Sequence, residues 1–339
     1  MPVSYQVFRG QIYAVGMKPD GDTLTFRPHN PSAVAALPDS EGNAGTAAFD
    51  ADKNNAVSVR LQGVDALETH YQPAVGDNKP AGATAPVGVS KPSAGNHHQR
   101  LDLSHAAAHA LLGMLGVTVT EADWHSWGYL RRVTVGARVV EEKFKEAVEA
   151  VVVAESVDRN GRLLGWVFPG SVALAEGATL TEADLLGLLK QSCNAQLLSQ
   201  GHAYPYFYFT LSTALRSKLS IATSTAQRYR RGLWAQSTPS GSLAIPTVSA
   251  LNDTVILLPY LFRKLLRSWR LRALATYWAG GDVSAAALET LDVGALFESG
   301  DPYLYTVSDR QFVRLSQVVT ASGGTLTLTR KPQDLVFLE

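Results

Sequence analysis

Apolar and polar positions alternate at the start of the chain. In YQVFRGQIYAV (5–15) and again in DTLTFRP (22–28), where Leu24 and Phe26 alternate with Thr23, Thr25 and Arg27, the period is that of a half-buried strand. Asp20-Gly21 between them is a turn signal. Residues 28–55, rich in Asn, Pro, Ala, Gly and Asp, predict a long loop. VRLQGVDALET (59–69) resumes the alternation, with Val59 and Leu61 opposed to Arg60 and Gln62, until Gly63 interrupts it. QPAVGDNKPAGATAPVGVSKPSAGN (72–96) is a low-complexity Pro/Gly/Ala connection.

Helical spacing follows from Asp102 to Leu115, with Ser104 a candidate cap and Gly116 a stop. RRVTVGARVV and AVVVAESV read as strands, and Asn160-Gly161 is a two-residue hairpin signal leading into LLGWVF. Residues 180–200 and 211–231 predict helices, separated by the aromatic stretch GHAYPYFYF. Many short strands with turn signals and a few helices predict a mainly β, α+β fold, a small closed barrel carrying helices. STPSGSLAIP (237–246) reads as a linker to a smaller C-terminal accessory domain (247–339). That domain holds an apolar-basic helix around 253–279 and two late strands, GGTLTLTR and DLVFLE.

Composition narrows the class. With 339 residues, two domains are expected. Thirty Lys/Arg balance thirty Asp/Glu, which argues against a basic nucleic-acid coat but not against an enzyme touching one or two phosphates. Cys193 is the only cysteine, so no intramolecular disulfide can form, and a reducing, cytoplasmic location is expected. No secretory pattern opens the chain, and no apolar run is long enough to cross a bilayer, so no membrane partner is expected.

Candidate chemistry gathers at the ends of three predicted elements: Asp22 past the Asp-Gly turn, Arg60, Asp65 and Glu68 around Gly63, and Arg162 after the Asn-Gly turn. Carboxylates suit a hard cation, guanidiniums grip phosphate through a planar fork, and a further carboxylate can orient or deprotonate water. Arg60 and Asp65 have opposite parity on a straight strand, so Gly63 is expected to bend or bulge the chain and bring them together. Taken singly, Asp22 is an ordinary turn residue and Arg162 a solvated hairpin residue.

The stretches DGDTLTF (20–26), VRLQGVDALET (59–69), DRNGRLLGWVF (158–168), LLSQGHAYPY (197–206) and, more weakly, AQRYRRGLWA (226–235) occur in one order. Together they resemble the staphylococcal nuclease-like (thermonuclease) family over about residues 5–236, with long insertions at 28–55, 72–100 and 120–150. The resemblance implies a five-stranded OB-fold barrel with three helices. It also implies calcium-dependent hydrolysis of phosphodiester bonds in DNA or RNA, preferably single-stranded or unpaired, to 3′-phosphate products. Asp22, Asp65 and the Ala66 carbonyl would be calcium ligands, Glu68 the water-activating carboxylate, and Arg60 and Arg162 the groups that neutralise charge developing on the phosphate. Ala66 and Leu67 depart from the family's usual Thr-Pro. The family's two substrate-contacting tyrosines fall, counted from Gly201, on Phe207 and Phe209, with Tyr206 and Tyr208 one place off; all four are candidates for substrate binding.

Other readings stand beside these. His98, Asp102, His105 and His109 would share a helix face, either a zinc site or, more simply, a partly exposed surface. Arg263, Arg267 and Arg270 form either a phosphate-binding stripe or the polar side of an ordinary packed helix. Trp234 is expected in the core, and residues 204–209 serve either packing or nucleotide stacking. For the whole chain, the alternative to a nuclease is a non-catalytic OB module that binds nucleic acid or protein.

Overall fold

In the computed structural model, which describes residues 4–76, 78–126, 128–237 and 240–338, the alternating stretches become a closed barrel. Its strands are Ser4–Tyr13 (β1), Thr23–Pro28 (β2), Val57–Leu61 (β3), Val148–Val157 (β5) and Leu163–Pro169 (β6). A short strand, Val64–Ala66 (β4), follows β3 and pairs outside the barrel with Ala203–Pro205 (β7). β1 pairs antiparallel with β2 and β5, β5 with β6, and β2 with β3, while β3 and β6 run parallel and close the circuit. Closure leaves none of the five with an open edge. The barrel is filled by side chains from the inward positions, among them Phe8, Ile12, Phe26, Leu61, Val152 and Val167, all essentially inaccessible. This is the expected five-stranded OB-fold barrel with helices, a mixed α+β architecture.

The helices are Leu101–Met114 (α1), Glu182–Leu188 (α2), Cys193–Gln200 (α3) and Thr213–Arg228 (α4). α1 begins before Asp102, so Ser104 lies inside it, fully buried, rather than capping it. Gly116, at φ +87°, ends that segment as expected. In α4, Leu215, Leu219, Thr223 and Ala226 form the buried stripe, and the Ser212 side chain accepts the Leu215 N–H at the start. Ser192 caps α3 in the same way, and Gly201, at φ +77°, ends it.

The chain divides into two compact units whose boundaries differ from those the sequence suggested. One consists of residues up to 66 together with 102–235; the other joins 67–101 to the residues from 236 onward. The Pro/Gly/Ala connection, expected as an insertion in the barrel domain, thus belongs with the C-terminal segment. Residues 67–101 are held there by bonds to the C-terminal segment: Gln99 Nε2 donates to the Leu257 carbonyl at 2.8 Å, Arg100 N to the Asn252 carbonyl at 2.7 Å, and Arg270 to the carbonyls of Pro92 and Ser93. The second unit is built around Pro259–Trp278 (α5), which buries Leu261, Phe262, Leu265, Leu266 and Leu274. Part of the expected linker is ordered structure: Gly241–Ala244 pairs with Thr325–Leu328, which also pairs with Val319–Ser322. Tyr303–Thr306 pairs with both Gln311–Arg314 and Leu335–Phe337. No helix among the described residues is long and apolar enough to cross a membrane.

Candidate active site

Two glycines bring the carboxylates of the first unit together. Gly21 lies in the tight turn before β2, where an added Cβ would sit 2.5 Å from the Ala107 side chain and 2.8 Å from that of Ala66. The turn therefore presses against both α1 and β4. Gly63, at φ +74°, turns the chain between β3 and β4, and a Cβ there would meet Leu219 of α4 at 2.5 Å. Asn194 of α3, fully buried, donates to the carbonyls of Gln62 and Gly165, both at 3.0 Å, and accepts the Val167 N–H. It pins the turn to β6. The bend that parity demanded is this left-handed turn.

Across it, the Arg60 guanidinium reaches both carboxylates. Nη1 contacts Asp22 Oδ1 and Nη2 lies 2.6 Å from Asp65 Oδ1. Asp22 also accepts the Ala66 N–H at 2.7 Å and the Thr23 hydroxyl at 3.0 Å. The register supports this placement: Thr23 lies opposite Arg60, Leu61 N donates to the Asp22 carbonyl, and Tyr204 lies opposite Asp65. Asp22 is 2% exposed and Asp65 wholly buried. Burial holds the Asp22 carboxyl above its ordinary range; Arg60 and the Ala66 N–H act in the opposite sense, and Asp65 and Asp20 add to the rise.

Arg162 stands after the Asn160-Gly161 turn as expected, but its side chain is engaged locally. Asp158 Oδ2 accepts from Nε and Nη2, both at 2.7 Å, and Asp158 Oδ1 accepts the backbone N–H groups of Asn160 and Arg162. Glu68 falls in the second unit. Its carboxylate accepts from Arg263 Nη1 of α5 at 2.5 Å, and Gln99 N donates to its carbonyl at 2.8 Å. Asp22, Arg60, Asp65 and Ala66 thus meet directly, while the guanidinium of Arg162 is held by Asp158 of its own turn and the carboxylate of Glu68 by Arg263, a partner that no short motif contains. Asp158, Asn194 and Arg263 are the residues sequence reading did not assign to the site. The i, i+4 spacing of Asp158 and Arg162 around a turn was the one available signal.

The aromatic stretch is divided by burial. Phe207 is wholly buried and Phe209 is 55% exposed. Tyr206 and Tyr208, whose rings meet edge to face at 4.9 Å, line a small depression together with Arg60, Gln62, Gly63 and Leu164. Beside Arg60 the chain therefore places tyrosines, not the phenylalanines that ungapped counting suggested, and their phenol oxygens offer hydrogen bonding as well as ring faces.

The remaining expectations resolve differently. α1 begins at Leu101, so His98 is not on it; His98 belongs to the second unit and faces Asp253 at 3.7 Å. His105 bonds Glu121 through Nδ1 at 2.7 Å and stacks on Trp124 at 4.1 Å, while His109 Nε2 accepts the Trp124 indole N–H at 2.8 Å. That face is partly exposed, as expected: Asp102 is open, His109 half-buried and His105 packed, and burial lowers the His109 pKa. Among the described residues, no group of three or more His, Cys, Asp or Glu side chains is placed to hold a metal ion, so the zinc reading is not supported. The arginine stripe of α5 also dissolves: Arg263 is bound to Glu68, Arg270 is 7% exposed and bonded to backbone carbonyls, and Arg267 alone of the three is exposed. Trp234 is buried, as expected, with its ring against Tyr204 at 4.9 Å.

A closed five-stranded barrel with helices, bearing an arginine between two buried carboxylates at the turn after β3, defines an OB-fold protein. Residues 127–236 match the family model described as staphylococcal nuclease homologue, and the chain carries a domain of the staphylococcal nuclease-like family. The matched segment includes β5, β6, α3 and α4, with Arg162 and residues 206–209. Arg60 precedes it on β3, which with β2 completes the same barrel, and Asp22 and Asp65 precede it in the turn before β2 and on β4. No curated protein matches the chain.

Proposed function

We propose that the protein is a calcium-dependent nuclease that hydrolyses phosphodiester bonds of DNA or RNA to 3′-phosphate products. The observation that carries this reading is the convergence of Asp22, Arg60 and Asp65, from three segments of the chain, with Arg60 also lining a depression beside Tyr206 and Tyr208. Two carboxyl groups stand against one guanidinium in a nearly buried place, and their oxygens are hard donors that fit calcium. Asp22 and Asp65, with the Ala66 carbonyl, would hold the ion, and backbone or water oxygens would complete its shell. Bound calcium would act as a Lewis acid and charge sink for the phosphate.

In this reading Arg60 grips the scissile phosphate with the planar fork that now spans the two carboxylates. Arg162, released from Asp158, adds a second fork as negative charge accumulates on the phosphate oxygens. Glu68 takes the proton of the attacking water, and Arg263 holds its carboxylate in orientation until then. The nucleic-acid strand lies against Tyr206 and Tyr208. A cytoplasmic location and a preference for unpaired strands complete the proposal.

One observation favours the second reading, a non-catalytic OB module. Arg60 and Arg162 are both satisfied by internal carboxylates, as they would be if their role were structural. Cleavage of single-stranded DNA with and without calcium, using Glu68→Gln as control, separates the two. Calcium-stimulated cleavage that Glu68→Gln abolishes supports the nuclease; binding without cleavage by the wild type supports the module.

A further inference from the structure

The overall charge balance conceals a segregation. Between Asp184 and Asp253 the sequence contains no Asp or Glu, yet it contains Lys190, Arg216, Lys218, Arg228, Arg230 and Arg231. All but the first lie on α4 or in the turn that ends it. The face of α4 opposite its buried stripe carries Lys218, Ile221 and Arg228, all exposed, with Ile221 at 63%. Their spacing keeps them on one side of the helix, over a length of about 15 Å. An exposed isoleucine between cations offers apolar contact in a charged setting.

Immediately after α4 stands Tyr229, 61% exposed, with the guanidinium of Arg231 at 5.3 Å and that of Arg228 at 5.7 Å from its ring centre. Such an exposed ring keeps a free area on which a flat group can lie, and the two cations stand at its margin. The turn that presents it is rigid. Arg230 sits at φ +50° and Gly232 at φ +52°, Arg231 N donates to the Ala226 carbonyl, and Leu233 N donates to the Gly201 carbonyl, both at 2.9 Å. Gly201 and Gly232 approach so closely that a Cβ on either would lie 2.2 Å from a backbone oxygen. Arg231 Nη1 donates to the Ser199 carbonyl and Arg230 Nη2 to the Ala235 carbonyl. The aromatic platform and its cations are therefore largely ordered before any ligand arrives, which lowers the entropy cost of binding.

We propose that this surface of α4 and its C-terminal turn binds single-stranded nucleic acid, with a base stacked on Tyr229 and phosphates against Lys218, Arg228 and Arg231. Charge complementarity selects a polyanion, and the open ring selects one with bases free to stack. The proposal adds a strand-binding surface to the nuclease reading and rests on that reading only in the choice of substrate class; binding here needs neither calcium nor cleavage.

The test is fluorescence anisotropy of a labelled oligothymidylate, titrated with the full chain in a chelator so that nothing is cleaved, with heparin as a polyanion that has no bases. Tyr229→Ala should weaken oligothymidylate binding about tenfold, leave heparin binding unchanged, and be rescued by Tyr229→Phe. Changing Arg228 to Ala and Arg231 to Gln together should flatten the slope of log affinity against log salt by about 1.4, at about 0.7 for each phosphate lost. Tyr229→Ala with wild-type affinity overturns the proposal, as does equal weakening toward heparin. The catalytic reading is judged separately: a wild type that binds through Tyr229 but never cleaves refutes the nuclease and leaves this surface standing. A nuclease indifferent to Tyr229→Ala in binding refutes the surface alone.

Discussion

Replacing Arg60 by Gln tests the heart of the carboxylate cluster. The Arg60 side chain is 13% exposed, and those of its partners Asp22 and Asp65 are 3% and 0% exposed. Removing the guanidinium leaves two carboxylates buried together with no charge between them. Breaking a buried pair by deleting one partner typically costs about 3–5 kcal/mol, because the remaining charge is uncompensated. Here two carboxyl groups remain, partly relieved by the Ala66 N–H and the Thr23 hydroxyl on Asp22 and by the raised pKa that burial gives Asp22. A loss of about 3–5 kcal/mol is therefore expected at neutral pH. Calcium should reverse part of it, since a divalent ion can take the place of the guanidinium. At a hundredfold excess over its dissociation constant, a ligand bound to the folded state alone adds about 2.7 kcal/mol. The assay is urea unfolding of wild type and Arg60→Gln, in chelator and in calcium, followed by tryptophan fluorescence, to which the buried Trp166 of the barrel contributes. A loss below about 1 kcal/mol, the scale of an exposed ion pair, would refute the reasoning on the cluster. A full loss that calcium leaves untouched would remove Asp22 and Asp65 as its ligands.

Arg162→Lys keeps the charge but removes the planar fork, so turnover should fall at least about a hundredfold. Its melting temperature should stay near the wild type, because the partly exposed pair with Asp158 contributes at most about 1 kcal/mol; wild-type turnover would refute the clamp. Glu155, at the bulge of β5 between Ala154 and Ser156, has its pKa raised by burial first and by Glu182 next, against a hydrogen bond from Gln62. An acid with a raised folded pKa binds more protons folded than unfolded, so its contribution is lost as pH rises through the folded value. Glu155→Gln should therefore gain stability relative to wild type at neutral pH and lose that advantage below the ordinary glutamate range; equal melting curves across pH would show that Glu155 is solvated. Burial pushes the Cys193 thiol up to about 12, so the folded protein should not react with a thiol reagent at pH 8 and should react fully in urea; rapid native labelling would show that α3 opens readily.

Local periodicity made much of the first unit legible. The alternation at β2 and β3, the Asn160-Gly161 turn and the apolar stripe of α4 are each set by neighbours within a few residues, which a single sequence displays. Gly63 could be given its role because parity is a local property, and the left-handed turn there is what parity required. Length and sequence order were enough to suggest a barrel, and the motif series to suggest its family.

Tertiary structure decided what depends on distant partners. Glu68 is held by Arg263, 195 residues away, and that pairing follows from residues 67–101 folding with the C-terminal segment. A low-complexity stretch reveals no such allegiance, because its bonds there are made by backbone carbonyls, as at Pro92 and Ser93, and those carry no sequence signature. Gly241–Ala244 looked like a linker for the same reason: strand pairing with Thr325–Leu328 is specified by the partner as much as by the strand. Tyr206 and Tyr208 face Arg60, while Phe207 enters the core, because burial assigns alternate side chains of an all-aromatic run to opposite sides, and in such a run hydrophobicity cannot choose the register. The sequence names the groups capable of the chemistry, and only the folded chain assigns each of them a partner.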